Sequence, residues 1–258
     1  MKLHYHVTGH GHPLIILHGL FGSSDNWFTL AKFLGEKYKV WTVDQRNHGR
    51  SPHSDQFNYR IMADDINDLL IQEGIRSVFL LGHSMGGKTA MQFALMYPEK
   101  VDRLIVVDIA PKIYPAKHDQ IFEALFALRL DRHKTRAELD SALSQHIRDY
   151  AVRQLLLKNV LRDDAGNFKW RIDVSTIYAN YDKVNEAIDG GHQFTKPALF
   201  IRGSRSSYIL DEDKPQIKSI FPSAEFVSIE NAGHWVHAEA PQEFAGIVME
   251  FLDRQMRS

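Results

Sequence analysis

Residues 78–97, VFLLGHSMGGKTAMQFALMY, join a strand pattern, a turn and a helix pattern in direct succession. The strand pattern is the apolar run Val78–Leu81, and the residues after the turn carry an apolar stripe at helical spacing. Between them, Gly82, Ser84 and Gly86 give the sequence G-x-S-x-G, which is typical of a sharp strand-to-helix turn. Such a turn strains the serine backbone and holds its hydroxyl clear of the sheet, where it can act as a nucleophile. The stretch therefore predicts a nucleophile elbow centred on Ser84.

The same stretch also matches a second motif. Residues 82–89, GHSMGGKT, fit the phosphate-binding P-loop pattern G-x-x-x-x-G-K-[ST], which likewise joins a strand to a helix. The later run Leu104–Asp108 would then be the strand that ends in a magnesium-binding aspartate. In that interpretation Lys88 binds phosphate, whereas in a serine hydrolase it is expected to be a helix-face residue. This stretch alone leaves a serine hydrolase and a nucleoside triphosphatase both open.

The composition indicates a globular protein and argues against several classes of partner. The 258 residues are 44% hydrophobic and 24% charged, with a net charge of -1. This charge gives no electrostatic reason to expect nucleic acid or an acidic membrane as a partner. The sequence has no cysteine, no signal-peptide pattern at its N-terminus and no apolar run of the ~20 residues that span a bilayer. We therefore expect a cytoplasmic protein without stable membrane association.

The order of the predicted elements indicates the fold class. Short apolar runs alternate with amphipathic helical patterns through residues 1–111 and again through residues 195–258. This alternation predicts an α/β fold with a mostly parallel central sheet and helices on both faces. Ligands of such sheets gather at the carboxyl ends of the strands. Residues 112–194 lack the alternation, which predicts a helical cap inserted after the sixth core strand.

The predicted cap divides into several segments. Four runs carry apolar residues at helical spacing and predict helices: Ile121–Leu128, Leu139–Ile147, Val152–Leu161 and Thr176–Ile188. Phe168–Val174 is the one strand-like run among them. Gly190 and Gly191 are expected to form a turn before the chain returns to the sheet.

The C-terminal part supplies a candidate general base. Residues 231–237, NAGHWVH, follow the last predicted strand, where a serine hydrolase needs a histidine on a loop. His234 comes first after the strand and is the predicted base, with His237 as the second choice. A nucleoside triphosphatase has no use for this block, and its P-loop normally follows the first strand, whereas three predicted strands precede this one. The C-terminal histidine therefore favours the hydrolase.

An early His-Gly turn is the second discriminating feature. His18 and Gly19 follow the apolar run Leu14–Leu17, at the sheet edge where the elbow also lies. In acyl-transfer enzymes such a turn supplies one backbone N–H group of the oxyanion hole, and the residue after the nucleophile supplies another. We therefore assign the hole to the backbone N–H groups of Leu20 and Met85.

Five blocks carry a resemblance to a known family: HGLFGS at 18–23, DQRNHGRS at 44–51, GHSMGGK at 82–88, DIAP at 108–111 and GHWVHAE at 233–239. Together they resemble small bacterial esterases of the YbfF type, which belong to the α/β-hydrolase superfamily. The resemblance implies an α/β-hydrolase fold and hydrolysis of carboxylic ester bonds without a cofactor. The cap is similar to the family only in its length and helical character, so it says little about the substrate.

The acid of the expected catalytic triad departs from the usual α/β-hydrolase pattern. Most members carry it as G-x-x-D after the strand that corresponds to Ala198–Arg202, but here that loop reads GSRS, with Ser206 at the aspartate position. Asp108 ends the preceding core strand and can approach His234 from there. YbfF-type esterases resemble this arrangement, so Asp108 is the predicted acid. Asp211 and Asp213 are the alternatives.

The sequence thus predicts a serine carboxylesterase that acts on small to medium acyl esters through a Ser-His-Asp triad and an acyl-enzyme intermediate. Three further side chains are expected to line the substrate pocket: His18, Phe21 and Trp235. A related hydrolase of thioesters, lactones or C–C bonds is one alternative, and a non-catalytic protein that binds a small molecule is another. The histidine-rich N-terminus has no carboxylate partner at metal-ligand spacing, so no metal site is expected. The sequence predicts neither the natural substrate nor the oligomeric state.

Overall fold

A computed structural model describes residues 1–188 and 191–254, which contain nine strands and eleven α-helices. The strands are β1 (Tyr5–Thr8), β2 (Pro13–Leu17), β3 (Lys39–Val43), β4 (Val78–His83), β5 (Val101–Val107), β6 (Val160–Arg162), β7 (Phe168–Trp170), β8 (Ala198–Gly203) and β9 (Ala224–Ile229). The helices are α1 (Phe28–Leu34), α2 (Tyr59–Gln72), α3 (Met85–Met96), α4 (Asp119–Ala127), α5 (Arg136–Ser144), α6 (Tyr150–Leu157), α7 (Val174–Ala179), α8 (Tyr181–Asn185), α9 (Lys214–Ile220), α10 (Val236–Glu239) and α11 (Pro241–Asp253).

Seven of the strands form one central sheet in the order β1-β3-β2-β4-β5-β8-β9. β1 pairs antiparallel with β3, and the other neighbouring strands are parallel. The middle strands are unbroken apolar runs because helices cover them on both faces, and every residue of β4 is buried. The predicted α/β architecture, a mostly parallel sheet with flanking helices, is confirmed.

The helices enclose an apolar core on each face of the sheet. One core contains side chains of α2 and α3, together with Phe122 and Leu143 from the chain between β5 and β8. The other contains side chains of α1 and α11, among them the fully buried Leu34 and Phe244. Because the strands are parallel, β2, β4, β5 and β8 all end at one edge of the sheet, where the loops that follow them meet.

The chain between β5 and β8, called the insertion below, is mainly helical. It contains α4 to α8 and a separate antiparallel pair, β6 and β7. It follows the fifth strand in chain order rather than a sixth, because the N-terminal region contributes a single antiparallel strand before the parallel ones begin. Its entry and exit segments pair with each other. The Ile188 N–H donates to the Pro111 carbonyl at 2.9 Å, and the Tyr114 N–H donates to the Asn185 carbonyl at 2.9 Å.

The helices of the insertion match three of the four predicted runs. α6 ends earlier than predicted, at Leu157, because Val160 begins the short strand β6. The fourth run is divided into α7 and α8 at Asn180, whose side-chain amide donates to the Thr176 carbonyl at 2.9 Å. Gly190 of the predicted turn lies outside the described residues. In residues 1–188 and 191–254, no helix has the length and apolar character needed to cross a membrane.

Candidate active site

Ser84 lies at the turn between β4 and α3 in a backbone conformation that residues other than glycine rarely adopt. Its φ is 52° and its ψ is -119°, a strain that costs about 1–3 kcal/mol. The turn persists because glycine allows close backbone contacts: a Cβ on Gly86 would lie 2.5 Å from the carbonyl oxygens of Leu17 and His18. Within residues 78–95, Ser84 alone is partly exposed. The elbow therefore presents one hydroxyl at the carboxyl edge of the sheet.

Asp108 follows β5 directly, is fully buried and is hydrogen-bonded to His234 on the loop after β9. The Nδ1–H of His234 donates to Asp108 Oδ2 at 2.7 Å. The Ser206 hydroxyl donates to the same oxygen, and the Gly203 N–H donates to Oδ1 at 3.3 Å. Three donors thus compensate the burial of this carboxylate. Because Nδ1 is engaged, Nε2 is the nitrogen of His234 that remains available to accept a proton.

The loop that carries His234 is fixed by residues outside the predicted triad. The Nε2–H of His83, the residue before Ser84, donates to the His234 carbonyl at 2.9 Å. Burial lowers the pKa of His83 well below its ordinary value, so this ring stays neutral. Tyr208 stacks on the His234 ring, with centroids 4.0 Å apart and planes inclined by 20°. Of these residues, only His83 had a signal in the sequence, namely its place inside the elbow.

The alternative triad residues are engaged elsewhere. Asp211 is exposed and pairs with Arg202 at 3.1 Å and with Lys214 at 2.7 Å. Asp213 accepts a hydrogen bond from Lys112 Nζ at 2.7 Å. The second-choice histidine, His237, stacks on Trp27 with ring centroids 4.1 Å apart. The structure therefore brings Asp108, and neither of the alternative aspartates, to His234.

The two residues assigned to the oxyanion hole lie beside Ser84. The backbone N–H groups of Leu20 and Met85 make no hydrogen bond within the described part of the chain. Met85 begins α3, so its N–H is one of the unpaired donors at the helix N-terminus. Gly19 brings the His-Gly turn against the elbow, since a Cβ there would lie 3.3 Å from Ser84 Cβ. Two backbone N–H groups without a partner in the described part of the chain therefore lie close to Ser84.

Several side chains hold the His-Gly turn in place. The Nδ1–H of His18 donates to the Gly19 carbonyl at 2.8 Å, which occupies this ring within the protein. Phe21 has a positive φ of 60°, and its N–H donates to His48 Nε2 at 3.3 Å. Burial lowers the pKa of His48 to about 3, so Nε2 remains an acceptor. The side-chain amide of Asn159, from the insertion, donates to the Phe21 carbonyl at 2.7 Å.

A cavity of about 630 Å³ lies over these groups. Its wall contains the predicted nucleophile, base and pocket residues: His18, Phe21, Ser84, His234 and Trp235. Ser84 and His234 line it together without a direct hydrogen bond between them. The helix α6 supplies another part of the wall, including Leu155 and Leu156. A second cavity of about 30 Å³ adjoins the first, since Leu20, Ser84, His118 and Tyr208 line both.

Lys88 lies on α3, as predicted, but the face of the helix that carries it is covered rather than exposed. Its side chain is buried because α3 packs beneath the insertion one turn after Ser84. Nζ donates to the backbone carbonyls of Lys112, Asn185 and Glu186, so its three N–H bonds are occupied. Such an ammonium has no donor left for a phosphate, which argues against the P-loop interpretation. In residues 1–188 and 191–254, no group of three or more His, Cys, Asp or Glu side chains could hold a metal ion.

Comparison with known proteins identifies the family. A family profile described as "alpha/beta hydrolase fold" matches residues 12–241. The chain belongs to the α/β-hydrolase family. A curated relative of this α/β-hydrolase, the mouse protein named sn-1-specific diacylglycerol lipase ABHD11, is 38% identical over 247 residues, covering 93% of this chain and 80% of the relative. Another, Esterase YbfF of Escherichia coli K12, is 35% identical over 244 residues, covering 93% of this chain and 93% of the relative.

A solved structure described as "Marine microorganism esterase" is similar to this α/β-hydrolase over nearly its whole length. The TM-score is 0.95 at 43% identity, and the match covers 97% of this chain and 99% of the other. These similarities confirm the α/β-hydrolase fold and the resemblance to YbfF-type esterases that the sequence blocks indicated. They also confirm the predicted enzyme class, a hydrolase of ester bonds.

Proposed function

We propose that this α/β-hydrolase is a serine carboxylesterase in which Ser84 is the nucleophile, His234 the general base and Asp108 the triad acid. The observation that carries the proposal is the meeting of three features around Ser84, where the two cavities adjoin. These are the strained and partly exposed Ser84, the 2.7 Å hydrogen bond between His234 and Asp108, and the unpaired N–H groups of Leu20 and Met85. Acyl transfer through a covalent intermediate requires this set of groups.

In the proposed mechanism, Ser84 Oγ attacks the ester carbonyl carbon while His234 Nε2 takes the hydroxyl proton. The N–H groups of Leu20 and Met85, with the positive end of the α3 dipole, stabilise the negative charge on the carbonyl oxygen. The alcohol leaves with the proton from His234, and the acyl group stays on Ser84. Water then gives a proton to His234 and attacks the acyl carbon, and Ser84 Oγ leaves with the proton from His234 as the acid is released. Asp108 orients His234 and stabilises its imidazolium form throughout.

The cavity supports a substrate with a small to medium acyl group. Its volume of about 630 Å³ suits a small organic ligand, and Phe21, Trp235 and Leu156 give it apolar walls. Because α6 supplies part of the wall, we also propose that residues 112–194 act as a cap on a core of residues 1–111 and 195–258.

The alternative reactions are cleavage of thioesters, lactones or C–C bonds, which would use the same catalytic groups. A non-catalytic binding protein would have no use for the strained elbow. The cytoplasmic location stays a prediction from the sequence.

The proposal is tested with a fluorophosphonate probe and with p-nitrophenyl esters of graded acyl length, from acetate to dodecanoate. We expect the probe to label Ser84 and turnover to fall by on the order of 10⁴-fold or more in Ser84→Ala, because no other group can form the acyl-enzyme. Ser141→Ala, which changes an exposed serine on α5, is the matched control. Labelling and turnover that persist in Ser84→Ala would remove Ser84 as the nucleophile.

A further inference from the structure

Lys88 is a buried lysine that the proposed mechanism does not use. Burial lowers the pKa of its amine to about 7, while hydrogen bonds to three backbone carbonyls favour the charged ammonium form. Lys88 lies on α3 one turn after Ser84, and its backbone N–H donates to the Ser84 carbonyl at 3.0 Å. Its side chain is 1% exposed, although lysine is almost never fully buried without a partner. Here the partners of the ammonium are backbone carbonyls rather than a carboxylate. This arrangement requires a reason beyond the stability of α3 itself.

The ammonium joins the two places where the chain passes between the sheet and the insertion. At the entry, Nζ donates to the Lys112 carbonyl at 3.0 Å. At the exit, it donates to the carbonyls of Asn185 at 3.3 Å and Glu186 at 2.5 Å. One side chain of the elbow helix therefore holds both ends of the insertion.

Two tyrosine rings at the same junction surround the ammonium. Nζ lies 5.7 Å from the ring centroid of Tyr59 and 4.8 Å from that of Tyr114, within the range of cation–π attraction. Each tyrosine also bonds to the exit segment. The Tyr59 hydroxyl donates to the Val184 carbonyl at 2.6 Å, and the Tyr114 N–H donates to the Asn185 carbonyl at 2.9 Å. The contacts of Lys88 thus belong to a network that connects α2, α3 and both crossings.

We propose that Lys88 is a positioning residue that fixes the insertion over the Ser84 elbow and thereby sets the shape of the large cavity. Hydrogen bonds from a charged donor are roughly twice as strong as neutral ones. Loss of the ammonium leaves buried carbonyls unpaired at both crossings, which loosens them. Because α6 of the insertion forms part of the cavity wall, a looser insertion weakens the binding of long acyl groups. This effect on substrates rests on the proposed esterase function, whereas the attachment of the insertion does not.

Kinetics with two p-nitrophenyl esters, acetate and octanoate, test the effect on the cavity. In Lys88→Met, which keeps the chain length but removes the charge and the donors, kcat/KM for octanoate should fall about tenfold more than for acetate. A tenfold difference corresponds to one hydrogen bond from a charged group. The change should appear in KM. Active enzyme is counted in each variant by fluorophosphonate labelling, so that unfolded protein does not enter the ratio.

Arg103→Met is the matched control. Like Lys88, Arg103 on β5 is buried and donates to backbone carbonyls. Its guanidinium donates to the carbonyl of Phe251, at 2.9 Å, and to that of Arg254, and both acceptors lie away from the insertion. Its loss should lower stability without changing the ratio of the two esters. An unchanged ratio in Lys88→Met, or the same shift in Arg103→Met, would show that Lys88 contributes only to stability and would overturn the proposal.

Amide hydrogen exchange tests whether Lys88 holds the insertion in place, and this measurement does not depend on enzyme activity. In Lys88→Met, the amides of Tyr114 and Ile188, which pair the entry and exit segments, should exchange at least about tenfold faster relative to amides of β4. If Lys88→Met does not fold, Tyr59→Phe removes one bond from the same junction and should accelerate the same amides. Unchanged exchange in the folded variant overturns the proposal. Failure of the wild-type protein to hydrolyse either ester would instead refute the proposed function and leave the exchange result to decide the role of Lys88.

Discussion

At the scale of single residues, a buried carboxylate next to a histidine is stable only when its other lone pairs are also bonded. Asp108 meets this condition through the Ser206 hydroxyl and the Gly203 N–H in addition to His234. Ser206 stands where the usual α/β-hydrolase pattern has the acid. A second carboxylate at that place would repel Asp108, whereas a hydroxyl donates to it. The acid at the end of β5 and the serine at the end of β8 are therefore compatible with each other.

Replacing Asp108 tests the proposed triad. Asp108→Asn keeps the size of the side chain but removes the charge that orients His234 and stabilises its imidazolium form, so kcat should fall by on the order of 10⁴-fold. Circular dichroism should show that the variant stays folded. Asp211→Asn and Asp213→Asn serve as controls and should lose far less, because their carboxylates contact lysine and arginine rather than His234. Near-normal kcat in Asp108→Asn, with a large loss in either control, would place the acid after β8.

The sequence indicated Ser84, His234 and Asp108 because each follows a predicted strand, where a parallel sheet collects its ligand-binding residues. Their supporting contacts had no such signal. The bond from Ser206 to Asp108 spans 98 positions, and the bond from His83 to the His234 carbonyl spans 151. Such contacts depend on the packing of distant segments. The burial of Lys88 was missed for the same reason, since the insertion that covers it has no periodicity that shows where it docks.

At the scale of elements, the strand β4, the elbow and the helix α3 form a unit whose geometry depends on small residues. A Cβ on Gly82 would lie 2.1 Å from the Gly86 carbonyl oxygen, and a Cβ on Gly86 would meet two carbonyl oxygens at the end of β2. These contacts leave no flexible side chain that could move aside. The elbow can therefore hold Ser84 at a strained φ only while both glycines are present.

Substitution of Gly86 by alanine should disturb this unit. The added methyl group meets backbone atoms at 2.5 Å, so β2 and α3 must separate and the free energy of unfolding should fall by about 1–3 kcal/mol. Turnover should fall as well, because the Met85 N–H moves with α3. Gly246→Ala on α11 is the control: its Cβ meets nothing within 4 Å, and alanine should stabilise the helix by about 0.5–1 kcal/mol. Denaturant unfolding of both variants measures the two changes. Equal stability of the two variants would contradict this account.

The elements were predictable to different degrees. The sheet strands and the helices α2, α3 and α11 have strong apolar patterns. Most of these elements bury either one face or all of their faces along their whole length. Inside the insertion the signals were weaker. The pair β6 and β7 has only three residues in each strand, and the division at Asn180 depends on one side-chain hydrogen bond to the backbone. Periodicity over such short lengths does not separate a strand from the end of a helix.

At the scale of the whole molecule, three histidines are buried near the carboxyl edge of the sheet. His18, His48 and His83 are all at most 4% exposed, and each has a hydrogen-bond partner in the backbone. Burial lowers the pKa of all three, that of His48 to about 3. The packing that shapes the site therefore also makes the stability of the fold depend on pH.

The protein should lose stability on acidification well before its carboxylates titrate. Below about pH 6.5, the unfolded chain binds protons at these histidines while the folded chain does not, so the free energy of unfolding decreases as the pH falls. Each buried histidine can contribute up to about 1.4 kcal/mol per pH unit until the pH reaches its lowered folded-state pKa. Thermal unfolding from pH 7.5 to pH 5 should thus show a steadily decreasing Tm. His48→Gln should be less stable at pH 7.5, because it perturbs the acceptor for the Phe21 N–H, but its Tm should fall less steeply with pH. A flat profile for the wild-type protein, or an unchanged slope in His48→Gln, would show that these histidines do not control acid stability.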